Sequence, residues 1–319
     1  MSVAGVAVAM LLILYLPHVI PITGGRGGGS YLGFWPWPAL EVWFLALAVP
    51  FFINIASFAL NDYFDIETDR KNGRKERPLV SGALSPHIAA WTAAAGYLAG
   101  IAAGWLLSPI CGVIATLFAL LSVAYNYRLK DWPLIGNAYI ALSMAIAFPF
   151  GAGAVMFQDA PGLGNMMGAG WQMLLLLAAS PLTIFLALPA PILWLTAGAF
   201  FAGLSRELIK SVQDMKGDRA ARGSKHLPIL IGARAALILA GLLAAGFCAS
   251  LLWLVTAPGG PAWNIPSLGL LAVSGLAYLA NAIELMGGVP KPGGLERMRK
   301  TTLYALMLAL AAVALAVLI

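Results

Sequence analysis

Apolar runs of eighteen or more residues recur along the whole of this 319-residue chain, each long enough to cross the roughly 30 Å of hydrocarbon in a bilayer. Only 10% of the residues are charged and 61% are apolar, whereas a soluble domain carries about a quarter of its residues charged. Lipid gives a free backbone no hydrogen bonds, and the alternation of strands is missing, so the spans are helices. The expected fold class is all-α, a polytopic membrane protein.

Spans are predicted over 3–20, 40–60, 88–107, 109–125, 134–157, 191–210, 233–256, 267–286 and 302–319. Four connections are short or rich in Gly and Pro: Thr23 to Pro38, Ser108-Pro109, Gln158 to Asn165, and Ala257 to Pro266. Four are charged: Asp62 to Pro86, Arg128 to Trp132, Lys210 to Lys225, and Lys291 to Lys300. Nine spans bring all four charged connections to one face, which then holds every one of the 19 Lys and Arg except Arg26. The positive-inside rule makes that face cytoplasmic, in the inner or plasma membrane, with the N-terminus in and the C-terminus out. Trp35 and Trp37 fall in the opposite interfacial belt. The net charge of +6 is therefore topological, and nucleic acid is not an expected partner.

Met1 to Leu16 lacks a basic n-region and a small-residue cleavage site, so it is read as a retained first helix. Cys111 and Cys248 lie inside apolar runs without metal or disulfide spacing and are read as small core residues. Residues 167–190 are apolar enough to span, but a tenth crossing would carry Lys210 to Lys225 outside. Pro181, Pro189 and Pro191 also interrupt it, and proline costs about 3 kcal/mol in a helix interior. That segment is expected to be re-entrant, interfacial, or an overlong start to the next helix, within one transmembrane domain over 1–319.

Of 13 acidic residues, Asp62, Asp65, Glu67 and Asp69 crowd into NDYFDIETD. Asn61, Asp65 and Asp69 recur at i, i+4 and i+8, which stacks them along one helix face. Three oxygen-bearing groups on one stripe at a cytoplasmic helix end suit a hard cation such as Mg²⁺. Asp214 and Asp218 repeat the spacing in SVQDMKGD at the corresponding end of a later helix. One such cluster alone is ordinarily a solvated loop with ion pairs. Two clusters on one face, each trailed by Lys and Arg, point to metal with an anionic, phosphorylated ligand.

NDYFDIETD followed by RPLVSGALSP resembles the first signature of UbiA-type intramembrane prenyltransferases, NxxxD-xxx-D then RP-L-x-SG. YNYRLKDWPLIGN is similar to the stretch after that family's fourth helix. SRELIKSVQDMKGDRAARGSKHLPILIG resembles its second signature, DxxxD followed by a Gly and a basic-Leu-Pro run. The resemblance covers roughly residues 40–235 and implies nine helices around a central cavity open sideways to lipid. It implies catalytic and metal-binding roles for Asp65, Asp69, Asp214 and Asp218, with Asn61 a further metal and substrate ligand. Bound Mg²⁺ would hold the diphosphate of an isoprenoid donor. Arg77, Tyr125 and Lys130 occupy positions that contact diphosphate or close the site, and Arg70, Lys71, Lys210 and Lys225 are candidate extra contacts.

The expected reaction is prenyl transfer from the diphosphate to a lipophilic acceptor, in a site from which the bilayer excludes water. SRELIK and the GDRAARG-type run look most like the branch that alkylates geranylgeranylglyceryl phosphate. Ser211 and Gln213 depart from it, because acidic residues are usual there, and the first twenty-five residues lack the family's first-helix Arg. His18 is the only side chain there that titrates near neutral pH, and it is read as structural or interfacial. Alternatives are prenylation of an aromatic ring (hydroxybenzoate, homogentisate or a quinone precursor) and a terpene cyclase or prenyl diphosphatase of the same fold. Transport is disfavoured, because the acidic groups cluster at one face instead of lining a midplane path.

Overall fold

The structure, a computed structural model, describes residues 2–15, 38–71, 73–156, 188–222, 227–257, 260–288, 290 and 293–319, with 216–222 described by backbone alone. In chain order these form α1 (Val3–Tyr15), α2 (Leu40–Lys71), α3 (Pro78–Ser81), α4 (Pro86–Leu107), α5 (Pro109–Tyr127), a 3-10 turn (Leu129–Asp131), α6 (Ile135–Ala145), α7 (Ala147–Met156), α8 (Ala190–Arg222), α9 (Leu227–Ile231), α10 (Ala233–Thr256), α11 (Ile265–Gly287) and α12 (Gly294–Leu318). The described residues are mostly helical, joined by short turns and without strands, and 8 helices are long and apolar enough to cross a membrane, α6 and α7 acting together as one. The shorter apolar α1 accompanies them. Most of 167–190, with the predicted connections Thr23 to Pro38 and Gln158 to Asn165, lies outside the described residues.

Local chemistry sets the helix starts. Ser85 and Ser108 cap α4 and α5, their hydroxyls accepting from the N–H groups of Ile88 and Cys111. Pro86 and Pro109 follow at the one helical position where a missing N–H is harmless. Asn264 and Ser267 satisfy each other's backbone donors at the start of α11.

Neighbouring helices pack in a ring, α2 on α4, α4 on α5, α5 on α6, α6 on α8, α8 on α10, α10 on α11 and α11 on α12; the ring closes where α12 meets α1. Small residues set the closest approaches, as expected where packing, and not water, drives association. A Cβ on Gly100 of α4 would lie 2.7 Å from Ile53 Cγ1 of α2, and one on Gly151 of α7 would lie 2.5 Å from the Val6 carbonyl oxygen of α1. Outward-facing Phe44, Phe58, Trp91, Leu98, Trp253 and Met307 are exposed, an apolar exterior of the kind that lipid covers. Cys111 is buried and Cys248 half-buried; both are free thiols.

Three helices exceed their predicted spans by two turns or more. α2 continues to Lys71 and α8 to Arg222, past predicted ends at 60 and 210, and α12 begins at Gly294, ahead of a predicted start at 302. Hydropathy registers the end of the apolar stretch, whereas the backbone stays helical through the polar residues beyond it.

Candidate active site

At about 1.5 Å per residue, the first twenty residues of α2 and of α8 already cover a bilayer's ~30 Å core. Asn61 to Lys71 and Ser211 to Arg222 therefore continue each span as helical extensions. α2 and α8 touch each other directly, and side-chain contacts tie their extensions to one end of the bundle. Lys130 Nζ, on the turn after α5, lies 2.6 Å from Asp65 Oδ1. Asn137, at the start of α6, donates through Nδ2 to Ser211 Oγ of α8 at 2.8 Å. Arg299, at the start of α12, donates through Nη1 to Gln213 Oε1 at 3.2 Å.

The acidic stripe on α2 meets cations along its length. Asp65 and Lys130 are both largely buried, with side-chain exposures of 16% and 13%. Asp69, 7% exposed, holds Arg74 at 3.2 Å, and its second oxygen lies 3.8 Å from Arg77 Nε. Arg77 also pairs with Asp62 at 2.7 Å, so one guanidinium bridges two carboxylates on α2. It stands at the N-terminal flank of α3, pinned by the following Pro78. Carboxylates crowded on one face repel, and these are neutralised by a Lys and two Arg drawn from neighbouring segments.

The other expected residues take varied positions. Asn61 donates to Asn126 Oδ1 at 3.2 Å. Tyr125 stacks on Tyr139 with ring centroids 4.8 Å apart. Arg70 and Lys71 are exposed on the last turn of α2, where positive charge complements the helix dipole. Lys210 lies 3.7 Å from the buried Glu207, which Arg206 also approaches at 3.7 Å. Asp214 is exposed on α8. Asp218 sits four residues further along that helix by its backbone, with its side chain outside the described residues, and Lys225 lies outside them altogether. Among the described residues, no group of three or more His, Cys, Asp or Glu is gathered as a ready metal cluster.

Several contributors escape sequence reasoning. Asp62 and Arg74 sit inside the charged stretch but not on the i, i+4, i+8 register, and Glu207 precedes the acidic pair of α8 by seven residues, off its i, i+4 spacing. Asn126, 1% exposed, lies behind Asn61. Its available signal is the pairing of Ser57 with Asn61 and of Ser122 with Asn126, each at i, i+4 in otherwise apolar helices. Deeper in the bundle, Phe148, Trp194, Gly198, Phe247, Ser250 and Leu306 line a small, almost wholly apolar cavity of about 30 Å³ between α7, α8, α10 and α12.

The donor set suits a hard divalent cation: only oxygen ligands, partly shielded from water, and already seating positive groups on Asp65 and Asp69. Basic groups beside them are placed for an anion that accompanies such a cation.

Known proteins resemble this chain in sequence and in fold. The pattern of the UbiA prenyltransferase family fits residues 19–285. The digeranylgeranylglyceryl phosphate synthase of Archaeoglobus fulgidus is 31% identical over 279 residues, 85% of this chain and 82% of that protein. The enzyme of the same name from Methanopyrus kandleri is 35% identical over 186 residues, 58% of this chain. The chain spans just over half, 56%, of that relative's length. Among solved structures, a UbiA homologue from Aeropyrum pernix K1 superposes with TM-score 0.69 at 20% identity, covering 98% of this chain and 96% of that one. A homologue from A. fulgidus bound to GPP and Mg²⁺ gives TM-score 0.56 at 17% identity, covering 98% of each chain. At these identities the structures speak for the fold, and the sequence matches carry the assignment: the chain belongs to the UbiA prenyltransferase family.

Proposed function

We propose that the protein transfers a prenyl group from an isoprenoid diphosphate to a prenylglyceryl phosphate, with Mg²⁺ as cofactor, from a site on the cytoplasmic side of the membrane. The observation that carries this reading is the acidic stripe of α2 interleaved with Lys130 and Arg77, in a chain whose relatives along most of its length are digeranylgeranylglyceryl phosphate synthases. The whole of 1–319 acts as one transmembrane unit of nine crossing helices with its N-terminus in the cytoplasm. The gathering of Lys and Arg in the connections at the site's end favours that orientation.

Asn61, Asp65, Asp69, Asp214 and Asp218 would hold Mg²⁺, which when bound offsets the negative charge that grows on a departing diphosphate. Lys130 and Arg77 would take phosphate oxygens, and Tyr125, which stacks on Tyr139, would close the site. Arg70, Lys71, Lys210 and Lys225 add positive charge at the rim. The lipid-embedded helices keep water from the allylic carbon while the acceptor attacks C1.

Membranes given labelled geranylgeranyl diphosphate, with and without EDTA, across a panel of prenylglyceryl phosphate, hydroxybenzoate and homogentisate, test this. Label is expected on the glyceryl phosphate, in the presence of Mg²⁺ alone. Label on an aromatic ring, or a free isoprenoid released without acceptor, would replace the reading.

A further inference from the structure

A chain of buried hydrogen bonds runs behind the acidic stripe and joins three helices. Tyr97 of α4 contacts Ser122 Oγ of α5 at 2.7 Å, and Ser122 Oγ donates to Ser57 Oγ of α2 at 2.9 Å. With its only proton spent there, Ser122 must accept from Tyr97. Asn126 Nδ2 donates to the Ser122 carbonyl at 2.9 Å and lies 3.5 Å from Ser57 Oγ. Its Oδ1 accepts from Asn61 Nδ2 at 3.2 Å.

The direction of this chain is fixed by chemistry. A main-chain carbonyl has no hydrogen to give, so the Asn126 atom facing Ser122 must be the amide nitrogen. Flipping the Asn126 amide would set oxygen against oxygen in a buried site, where an unmade hydrogen bond costs about 1–3 kcal/mol. Its Oδ1 is therefore committed to Asn61, and Asn61 must answer with its nitrogen. The Asn61 Oδ1 is thereby the atom left to face a cation on the Asp65 and Asp69 stripe.

We infer that Asn126 is a positioning residue: it selects the amide orientation in which Asn61 offers oxygen, and not N–H, to the divalent ion. The inference rests on the reading of Asn61 as a metal ligand given above. An Asn without such a partner presents either end, and one of those ends repels a cation. Groups that orient a metal ligand from behind are typically worth about 10–100-fold in metal affinity.

The test is Mn²⁺ binding to the purified full-length protein in detergent with inorganic diphosphate, followed by electron paramagnetic resonance, alongside the Mg²⁺ concentration for half-maximal turnover. Asn126→Leu should weaken both at least about tenfold, with kcat largely restored at saturating Mg²⁺. The double variant with Asn61→Ala should be no weaker than Asn61→Ala alone. Asn126→Ala, which removes the same acceptor without added bulk, should weaken Mn²⁺ binding to the same degree and serves if the Leu variant does not fold. A folded Leu or Ala variant with unchanged Mn²⁺ binding would overturn the inference. If Asn61→Ala itself leaves Mn²⁺ binding unchanged, the ligand assignment fails instead.

Discussion

Lys130 Nζ reaches Asp65 Oδ1 at 2.6 Å across 65 residues of sequence, joining the turn after α5 to the middle of the acidic stripe on α2. The pair lies mostly out of water, where a charge-assisted hydrogen bond is worth more than at a surface. It puts a cation that can grip phosphate within one side chain's length of a carboxylate that can grip metal.

Lys130→Met should lower kcat/KM for the isoprenoid diphosphate about ten- to hundredfold, matching the ~1.5–3 kcal/mol of a hydrogen bond to a charged group. Most of the loss should appear in KM. Steady-state kinetics with varied donor at saturating Mg²⁺ checks it.

Asp65→Ala and Asp214→Ala should each cut turnover by about a hundredfold or more and leave the protein folded in detergent. Their stabilities should differ, because Asp214 is exposed whereas Asp65 is largely buried against Lys130. Thermal unfolding should shift by no more than about 0.5 kcal/mol for Asp214→Ala and by clearly more for Asp65→Ala. Near-normal turnover in either would dissolve the proposed site.

Arg77 is 39% exposed and so is its partner Asp62, at 40%. Surface pairs of this kind contribute about 0–1 kcal/mol. Arg77→Ala should therefore barely change the melting temperature while costing turnover, a split that separates a substrate contact from a structural clamp.

Gly151→Ala should destabilise the fold by about 1–3 kcal/mol, because the new Cβ would stand 2.5 Å from the backbone oxygen of Val6. Backbone cannot swing aside as a side chain can, so α1 and α7 must part. Thermal unfolding in detergent reads the loss, and Gly269→Ala, with open space around it, is the control.

Orientation is checked by chemical labelling. A cysteine at Gly73, in a background with Cys111 and Cys248 replaced by Ala, should react with a membrane-impermeant maleimide only after the cytoplasmic face is opened. Labelling from the outside of intact cells would invert the proposed topology.

Much of this site was legible in sequence because helical spacing converts directly into a stripe: Asn61, Asp65 and Asp69 need only 3.6 residues per turn to align. Lys130 and Arg77 were legible through motif resemblance, not spacing. What they touch was not, since no periodicity tells that Arg77 turns back to Asp62 or that Lys130 meets Asp65. Asn126 was invisible for a different reason. Its role lies in a hydrogen-bond direction, set by a carbonyl on its own helix and a serine on another. Helix ends at Lys71 and Arg222 were missed because polarity was read as the end of the helix, although polar residues sustain helix well once a long span has nucleated it.

The unbroken passage of α2 from Leu40 to Lys71 makes the stripe's bearing a matter of rotational phase. One residue inserted between Pro50 and Asn61 would leave the hydropathy of the span intact, yet swing Asp65 and Asp69 by about 100°. Four inserted residues would nearly restore the angle, to within about 40°, but push the stripe about 6 Å further from the bilayer. A length change harmless in any connecting loop would thus disarm the protein while it still inserts.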